Sequence, residues 1–262
     1  MGVWRRSVFA LAWGIAWSLD AAGRAVTYLA AGALTRDELR TAIARNWETY
    51  GIDEPFILSG LTHWEGEFYD RFLRPGDTIL LVGCGTGRDL IALLRRGHEV
   101  EGLEPARRPL VIARQMLDKL GLRATLHGVG IETAELHRTF DVVVFSQFCY
   151  GYLQESRARV ATLQKVKAAL RPGGRVIIPY TPLGRRRTLP IRMTRLVTRL
   201  TRSDWKPELG DKLWVSLADR SFVHFDHEFA PEEVEAEARA AGLGVLFHRQ
   251  GPAAPEGICV LE

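Results

Sequence analysis

The run ILLVGCGTGRD, Ile79–Asp89, sets glycine at alternate positions, Gly83, Gly85 and Gly87, directly after an apolar stretch. A turn of this kind lets a ligand approach the main chain where a Cβ would collide with it. About twenty residues on, a second stretch beginning at His98 runs into EGLEP, Glu101–Pro105, and so ends in an acid, Glu104. An acid in that place accepts hydrogen bonds from a ribose diol. Turn and acid together describe a nucleoside site. A dinucleotide fold asks for G-x-G-x-x-G, whose third glycine allows close helix–strand packing. Arg88 stands in that position, which argues against such a cofactor. No Gly-Lys-Ser/Thr follows, so the chain has no Walker loop there.

The elements that must position these residues have their own patterns. FDVVVF, Phe140–Phe145, is a continuous apolar strand of the sort buried in a parallel sheet, ending at Ser146 and Gln147. Val160, Leu163, Val166 and Leu170 recur at helical spacing, predicting a helix over Arg157–Ala169. That helix precedes LRPGG, Leu170–Gly174, and a fifth strand. Phe229–Leu243 predicts a late helix opened by Pro231 and closed by Gly242.

The set resembles the class I S-adenosylmethionine (SAM)-dependent methyltransferases: G-x-G-x-G, an acid after the second strand, L-x-P-G-G, and a late helix ending in Ala-Gly-hydrophobic. The resemblance is strong over about 72–180 and moderate over 223–261. It implies an α/β fold, a three-layer α/β/α Rossmann-like sheet of seven mainly parallel strands. SAM is the implied cofactor and S-adenosylhomocysteine the product. On that reading Val82, Gly83, Cys84, Gly85 and Gly87 wrap the amino-acid part of SAM. Glu104 holds the ribose, and Pro105 and Ala106 border the adenine. The acid or amide expected after the third strand is missing from Leu126–Glu132. Backbone groups of Val129 and Gly130, or Glu132, would have to substitute. Ser146, Gln147, Phe148 and Tyr150 would face the methyl group and acceptor, and Tyr50 would belong to a lid. An aromatic face can stabilise a cationic sulfonium, which makes Tyr150 a catalytic candidate beside Tyr152 and Tyr180. Where the acceptor needs a general base, His224 is the candidate. His98 lies at the wrong end of the sheet, and Cys149 reads as packing. FVHFDHEF, Phe222–Phe229, alternates like a strand, so His224, Asp226 and His227 read as a sheet edge and no metal site is expected.

Composition bounds the rest. At 262 residues the chain is one large domain, or one with additions. Three widely spaced cysteines suggest neither a disulfide framework nor a zinc cluster, and a reducing, cytoplasmic setting fits them. Residues 1–70 form a helical extension or lid, 71–180 the SAM-binding core, 181–222 a basic helical cap, and 223–262 strands and a helix completing the core sheet. The apolar run Val8–Leu19 is too short to span a bilayer. Trp4, Trp13, Trp17 and Tyr28 suit the depth of a membrane interface. A signal peptide, a core helix or a dimer helix would carry the same run. Arg185–Arg202 contains no acid. Arg192, Arg195, Arg199 and Arg202 are expected on one helical face, and Met193, Leu196, Val197 and Leu200 on the other. Such a helix could cover a sheet edge or bind anionic lipid headgroups. It lacks an aromatic stacking platform, which disfavours nucleic acid. The expected function is methylation of a small or lipid-like acceptor, possible at the inner face of a membrane. The alternatives are a soluble specialised-metabolite methyltransferase whose additions form a lid or dimer interface, and a SAM-binding module without catalysis.

Overall fold

The computed structural model describes residues 3–184, 187–215, 223–230, 232–250 and 256–262. Arg185, Arg186, Phe222 and Pro231 lie outside the described residues, and with them the expected helix opening at Pro231.

Strand β1 (Thr78–Val82) is buried at every position and pairs in parallel with β2 (Glu99–Leu103) and β4 (Phe140–Phe145). Together with β3 (Thr125–His127), β5 (Leu170–Tyr180), β8 (Val245–Arg249) and β9 (Gly257–Leu261) they form a seven-stranded sheet in the order β3-β2-β1-β4-β5-β9-β8. Only the pairings of β9 with β5 and β8 are antiparallel. The chain steps outward from β1 to β2 and β3 on one side and then returns to β4 and β5 on the other, so the strand order reverses at β1 and a crevice opens at the carboxyl ends of β1 and β4.

Alternate strand residues enter two apolar layers, as the two-residue period of a strand requires. Ile79, Leu81, Val142 and Val144 pack against α4 (His63–Phe72), α5 (Arg88–Arg95) and α6 (Arg107–Leu120). Leu80, Val82, Val143 and Phe145 pack against α7 (Ser156–Ala168) and α9 (Glu233–Ala240). This is the expected three-layer arrangement. Gly242, at φ +77°, follows the end of α9 as expected. The Pro-Gly-Gly turn lies within β5 rather than before it. Leu170 already pairs with Phe140, the register shifts, and pairing resumes at Arg175 opposite Val142.

Two departures concern the additions. Strand β7 (Val223–His227) does not join the core sheet; it pairs with β6 (Asp211–Val215) as a separate antiparallel ribbon. The ribbon is held instead by a third apolar cluster, in which Leu213 and Phe225 meet Tyr28, Ala31, Leu39, Ile43, Ile191 and Trp205. The second departure is the basic helix, α8 (Thr188–Thr201). Its buried face is Ile191, Thr194 and Thr198, and its exposed face mixes Leu189, Leu196 and Leu200 with Arg192 and Arg199. Arg195 turns inward, its Nε donating to Pro207 O at 2.7 Å. Arginine and leucine therefore share the outer face, because threonines take the inner one where α1 (Val3–Gly32) comes close. A Cβ on Gly32 would lie 2.9 Å from Val197 Cβ.

Helix α1 runs for 30 residues, about 45 Å at the usual rise. Its last third is anchored through Tyr28 and Ala31, while Trp4, Trp13 and Trp17 are at least 65% exposed. Among the described residues no helix is long and apolar enough to cross a membrane. A capping box between Thr35 and Glu38 then starts α2 (Arg36–Trp47), and Asp53 caps α3 (Glu54–Leu58).

Candidate functional site

A cavity of about 360 Å³ occupies the crevice at the ends of β1 and β4. Val82, Gly83, Cys84 and Gly85 form its floor, with Glu104 and Pro105 on one flank and Ser146 and Gln147 on the other. Val129 and Gly130 line it with Ile131 and Glu132, and half-exposed Tyr50 also borders it. The structure thus brings together the residues assigned to the cofactor, except Gly87 and Ala106, which do not line the cavity.

The turn after β1 needs its glycines. Gly83, Gly85 and Gly87 have φ of +74°, +54° and +99°, where an L side chain is strained. A Cβ on Gly83 would come within 3.1 Å of Cys149 Sγ, whereas one on Gly85 would meet no atom within 4 Å. Gly85 presents bare backbone to empty space, which is what a closely approaching ligand requires. Gly87 serves as the N-cap of α5.

Glu104 is fixed before any ligand arrives. Its Oε2 accepts from Gly85 N–H at 2.9 Å and its Oε1 from Ala106 N–H at 2.8 Å. Burial outweighs these donors and pushes its carboxyl up to about 7. The lone pairs left over can take a diol.

Arg88 explains why no third dinucleotide glycine is present. It leaves the cavity edge to form a bidentate pair with Glu65 of α4, Nη1 to Oε2 at 2.7 Å and Nη2 to Oε1 at 2.6 Å, and also donates to Gly60 O. Cys149 lines the cavity and donates to Val82 O at 3.1 Å. Burial pushes its thiol well up, so it is a packed thiol, as expected.

Two catalytic candidates fall elsewhere. Gln147 and Phe148 adopt left-handed φ of +48° and +63°, and the chain then carries Tyr150 into the apolar layer shared with α7 and α9. Tyr150 is fully buried, donates to Glu237 Oε2 at 2.7 Å and does not line the cavity. His224 lies on β7, stacked on Trp214 with ring centroids 4.9 Å apart, and is absent from the cavity wall. Neither is placed to touch a ligand there. Tyr152 does line the cavity, 5.3 Å from Trp47 between ring centroids. Tyr180 is held by His248 and Phe229, away from it.

The other wall comes from the expected N-terminal lid, through residues that no motif marks. Helix α2 supplies Arg40, Thr41, Ile43, Ala44 and Trp47, and α3 supplies Phe56. Several ties hold this lid down. Glu48 accepts from Arg107 N and Arg108 N at 3.0 and 2.9 Å, capping α6, and Thr86 Oγ1 donates to Gly51 O at 2.8 Å. Arg40 Nε lies 3.5 Å from Glu132 across the cavity. Asp89, in the first turn of α5, also lines the cavity and was not singled out by sequence.

A family profile described as a methyltransferase domain matches residues 79–174. Over those residues the chain carries a methyltransferase domain, on the fold of the SAM-dependent methyltransferases. It is 33% identical over 138 residues to a tRNA U34 carboxymethyltransferase of Idiomarina loihiensis, covering 47% of this chain and 42% of that one. A ubiquinone biosynthesis O-methyltransferase of Azorhizobium caulinodans is 28% identical over 176 residues, 66% of this chain and 62% of its own length. The chain therefore spans less than two thirds of these two curated relatives. Among solved structures, a 1,6-didemethyltoxoflavin-N1-methyltransferase of Burkholderia thailandensis, bound to S-adenosylhomocysteine, superposes with a TM-score of 0.60 at 17% identity, covering 87% of this chain and 90% of that one. That likeness is one of fold. The bare Gly85 backbone and the anchored Glu104 in this methyltransferase domain fit the family cofactor.

Proposed function

We propose that this methyltransferase transfers the methyl group of SAM to a small apolar or lipid-like acceptor taken from an anionic membrane surface. The carrying observation is the two-sided cavity. One end is the glycine turn and Glu104; the other is an apolar, aromatic wall of Ile43, Ala44, Trp47, Phe56 and Tyr152 supplied mainly by the lid. When bound, SAM supplies a methyl group activated on a sulfonium. Glu104 would hold its ribose, the Val82–Gly85 turn its amino-acid part, and the backbone of Val129 and Gly130 the adenine edge. Trp47, Tyr50 and Tyr152 exclude water and present aromatic faces to a cation. Among the described residues no histidine lines the cavity, so the chain's contribution is alignment and desolvation.

The lid connects directly to the surface that supports the membrane part of the reading. Helix α2 follows α1, and α1 packs on α8. Their outer faces combine Trp4, Trp13, Trp17, Leu189, Leu196 and Leu200 with exposed Arg5, Arg6, Arg192 and Arg199. Each cation near an anionic surface contributes about 1 kcal/mol, and tryptophan and leucine add apolar burial at that depth. The similarity to a ubiquinone biosynthesis enzyme agrees with an acceptor of lipid character.

Flotation with phosphatidylglycerol-containing vesicles tests the surface, and transfer of label from methyl-tritiated SAM into an organic-extractable product tests the acceptor. Co-flotation and an extractable product are expected. A dimer that ignores vesicles and labels only water-soluble acceptors would instead establish the soluble-metabolite alternative, with α1 covered by a second copy.

A further inference from the structure

Helix α7 commits one lysine to a single loop. Lys165 donates from Nζ to Ile131 O at 3.0 Å, Glu132 O at 2.8 Å and Ala134 O at 3.0 Å. An ammonium has three N–H groups and no acceptor, so all of them serve the segment that follows β3. Gly130 O is engaged as well, accepting from Thr133 N at 3.1 Å and Ala134 N at 3.0 Å. In a planar trans peptide the N–H points opposite to the C=O. The carbonyls of Gly130 and Ile131 are held by the loop and the ammonium, which leaves the N–H groups of Ile131 and Glu132 on the other side. Neither finds an acceptor among the described residues. Ile131 and Glu132 line the cavity, and Lys165 does not. Ile131 is 2% exposed, and a buried donor left unpaired is costly. The loop therefore keeps donors in readiness for a ligand. The cation stands at the carbonyl end of the turn, where it suits the peptide dipoles and strengthens the donors at the opposite end.

We propose, resting on the cofactor reading above, that Lys165 is a positioning residue for the nucleobase. It does not touch the ligand. Its ammonium draws the carbonyls of Ile131, Glu132 and Ala134 toward α7, and so turns the Ile131 and Glu132 N–H groups to the ring acceptors of a purine. This main-chain edge replaces the side-chain acid or amide missing after β3, since the carboxylate of Glu132 is set against Arg40 of the lid. The ribose and the amino-acid tail take no part in this contact.

Binding to the full chain tests it with two probes, S-adenosylhomocysteine by calorimetry and the weaker S-ribosylhomocysteine by ligand-observed NMR. The second keeps the ribose, sulfur and tail and lacks the base. Lys165→Met retains the apolar stem and loses the donors. It is expected to weaken S-adenosylhomocysteine roughly tenfold and to change S-ribosylhomocysteine less than about twofold. Equal losses for both probes, the mark of a merely structural lysine, or no loss for either, would overturn the assignment. Should Lys165→Met fail to fold, the wild-type chain still decides, because coupling between two sites is reciprocal. Reductive methylation with formaldehyde, read by mass spectrometry, should modify Lys165 roughly tenfold more slowly when S-adenosylhomocysteine is bound. An unchanged rate with that probe bound overturns the proposal. A wild-type chain that binds neither probe would overturn the cofactor reading itself, a different result from tight binding indifferent to Lys165.

Discussion

Glu104 sits in conflict between stability and binding. Burial raises its carboxyl from an ordinary 4.5 to about 7, against the pull of Ala106 and Gly85 N–H. A group raised on folding stabilises the fold while it is protonated. The ligand-free chain should therefore lose about 3 kcal/mol as pH climbs from the unfolded value through 7. Binding has the opposite sign, because a diol donates to the ionised form. Affinity for S-adenosylhomocysteine should fall as pH drops below 7 and level off above it; a profile flat from pH 5.5 to 8 would contradict the ribose role. Glu104→Gln should weaken the ligand roughly 10–100-fold, and because its amide nitrogen cannot accept from Gly85 or Ala106 N–H, any gain in melting temperature at pH 8 should be small. At Gly83, the φ of +74° and the 3.1 Å approach to Cys149 make Gly83→Ala costly. A stability loss of about 1–2 kcal/mol is expected in denaturant melts, with ligand binding impaired as the turn shifts.

At the scale of elements, the ribbon of β6 and β7 depends on a charged histidine. Burial acts to lower the pKa of His227, but bonds to Asp211 at 2.7 Å and Glu233 at 2.9 Å outweigh it and raise the value to about 9. This contribution is complete below about 6.5 and is lost as pH rises through 9. Hydrogen exchange across 211–215 and 223–227 should quicken between pH 7 and 10 more than in β1. Arg159, fully buried, sets Nη2 2.8–3.2 Å from Glu208, Glu233 and Glu237, tying α7 to α9. Removing it strands the buried Glu237 beside two half-buried acids, so Arg159→Ala should cost about 3–5 kcal/mol in a thermal melt. The core elements were legible because their information is local: glycine at alternate positions after β1, an acid after β2, an apolar run for β4. The rest depends on distant partners. Asp89 reads as an ordinary first-turn acid until Glu65 and Ser146 enclose it. The lid residues Arg40–Trp47 carry no motif of their own. Tyr150 was expected in the site because nothing local announces the left-handed pair Gln147 and Phe148. The charge pattern of α8 does not mark its inner face, because Ile191 and small threonines take that face.

For the whole molecule, the uncovered part of α1 can be altered without touching the cavity. Trp13→Glu with Trp17→Glu should abolish vesicle binding and leave S-adenosylhomocysteine affinity unchanged; unaltered flotation would refute the membrane role of α1. The lid is different, since its ties fall on the same elements that hold the ligand. Glu48 caps α6 immediately after the Glu104 loop, Thr86 of the glycine turn reaches Gly51, and Arg40 faces Glu132 beside the adenine wall. A spent nucleoside held against these elements is released faster when the clasp loosens, so its escape, rather than the transfer, is the step expected to set the pace. Rapid-quench traces should show a first turnover equal to the enzyme present, followed by a slower steady phase. Weakening the clasp with Glu48→Gln should hasten that second phase while the initial burst keeps its rate.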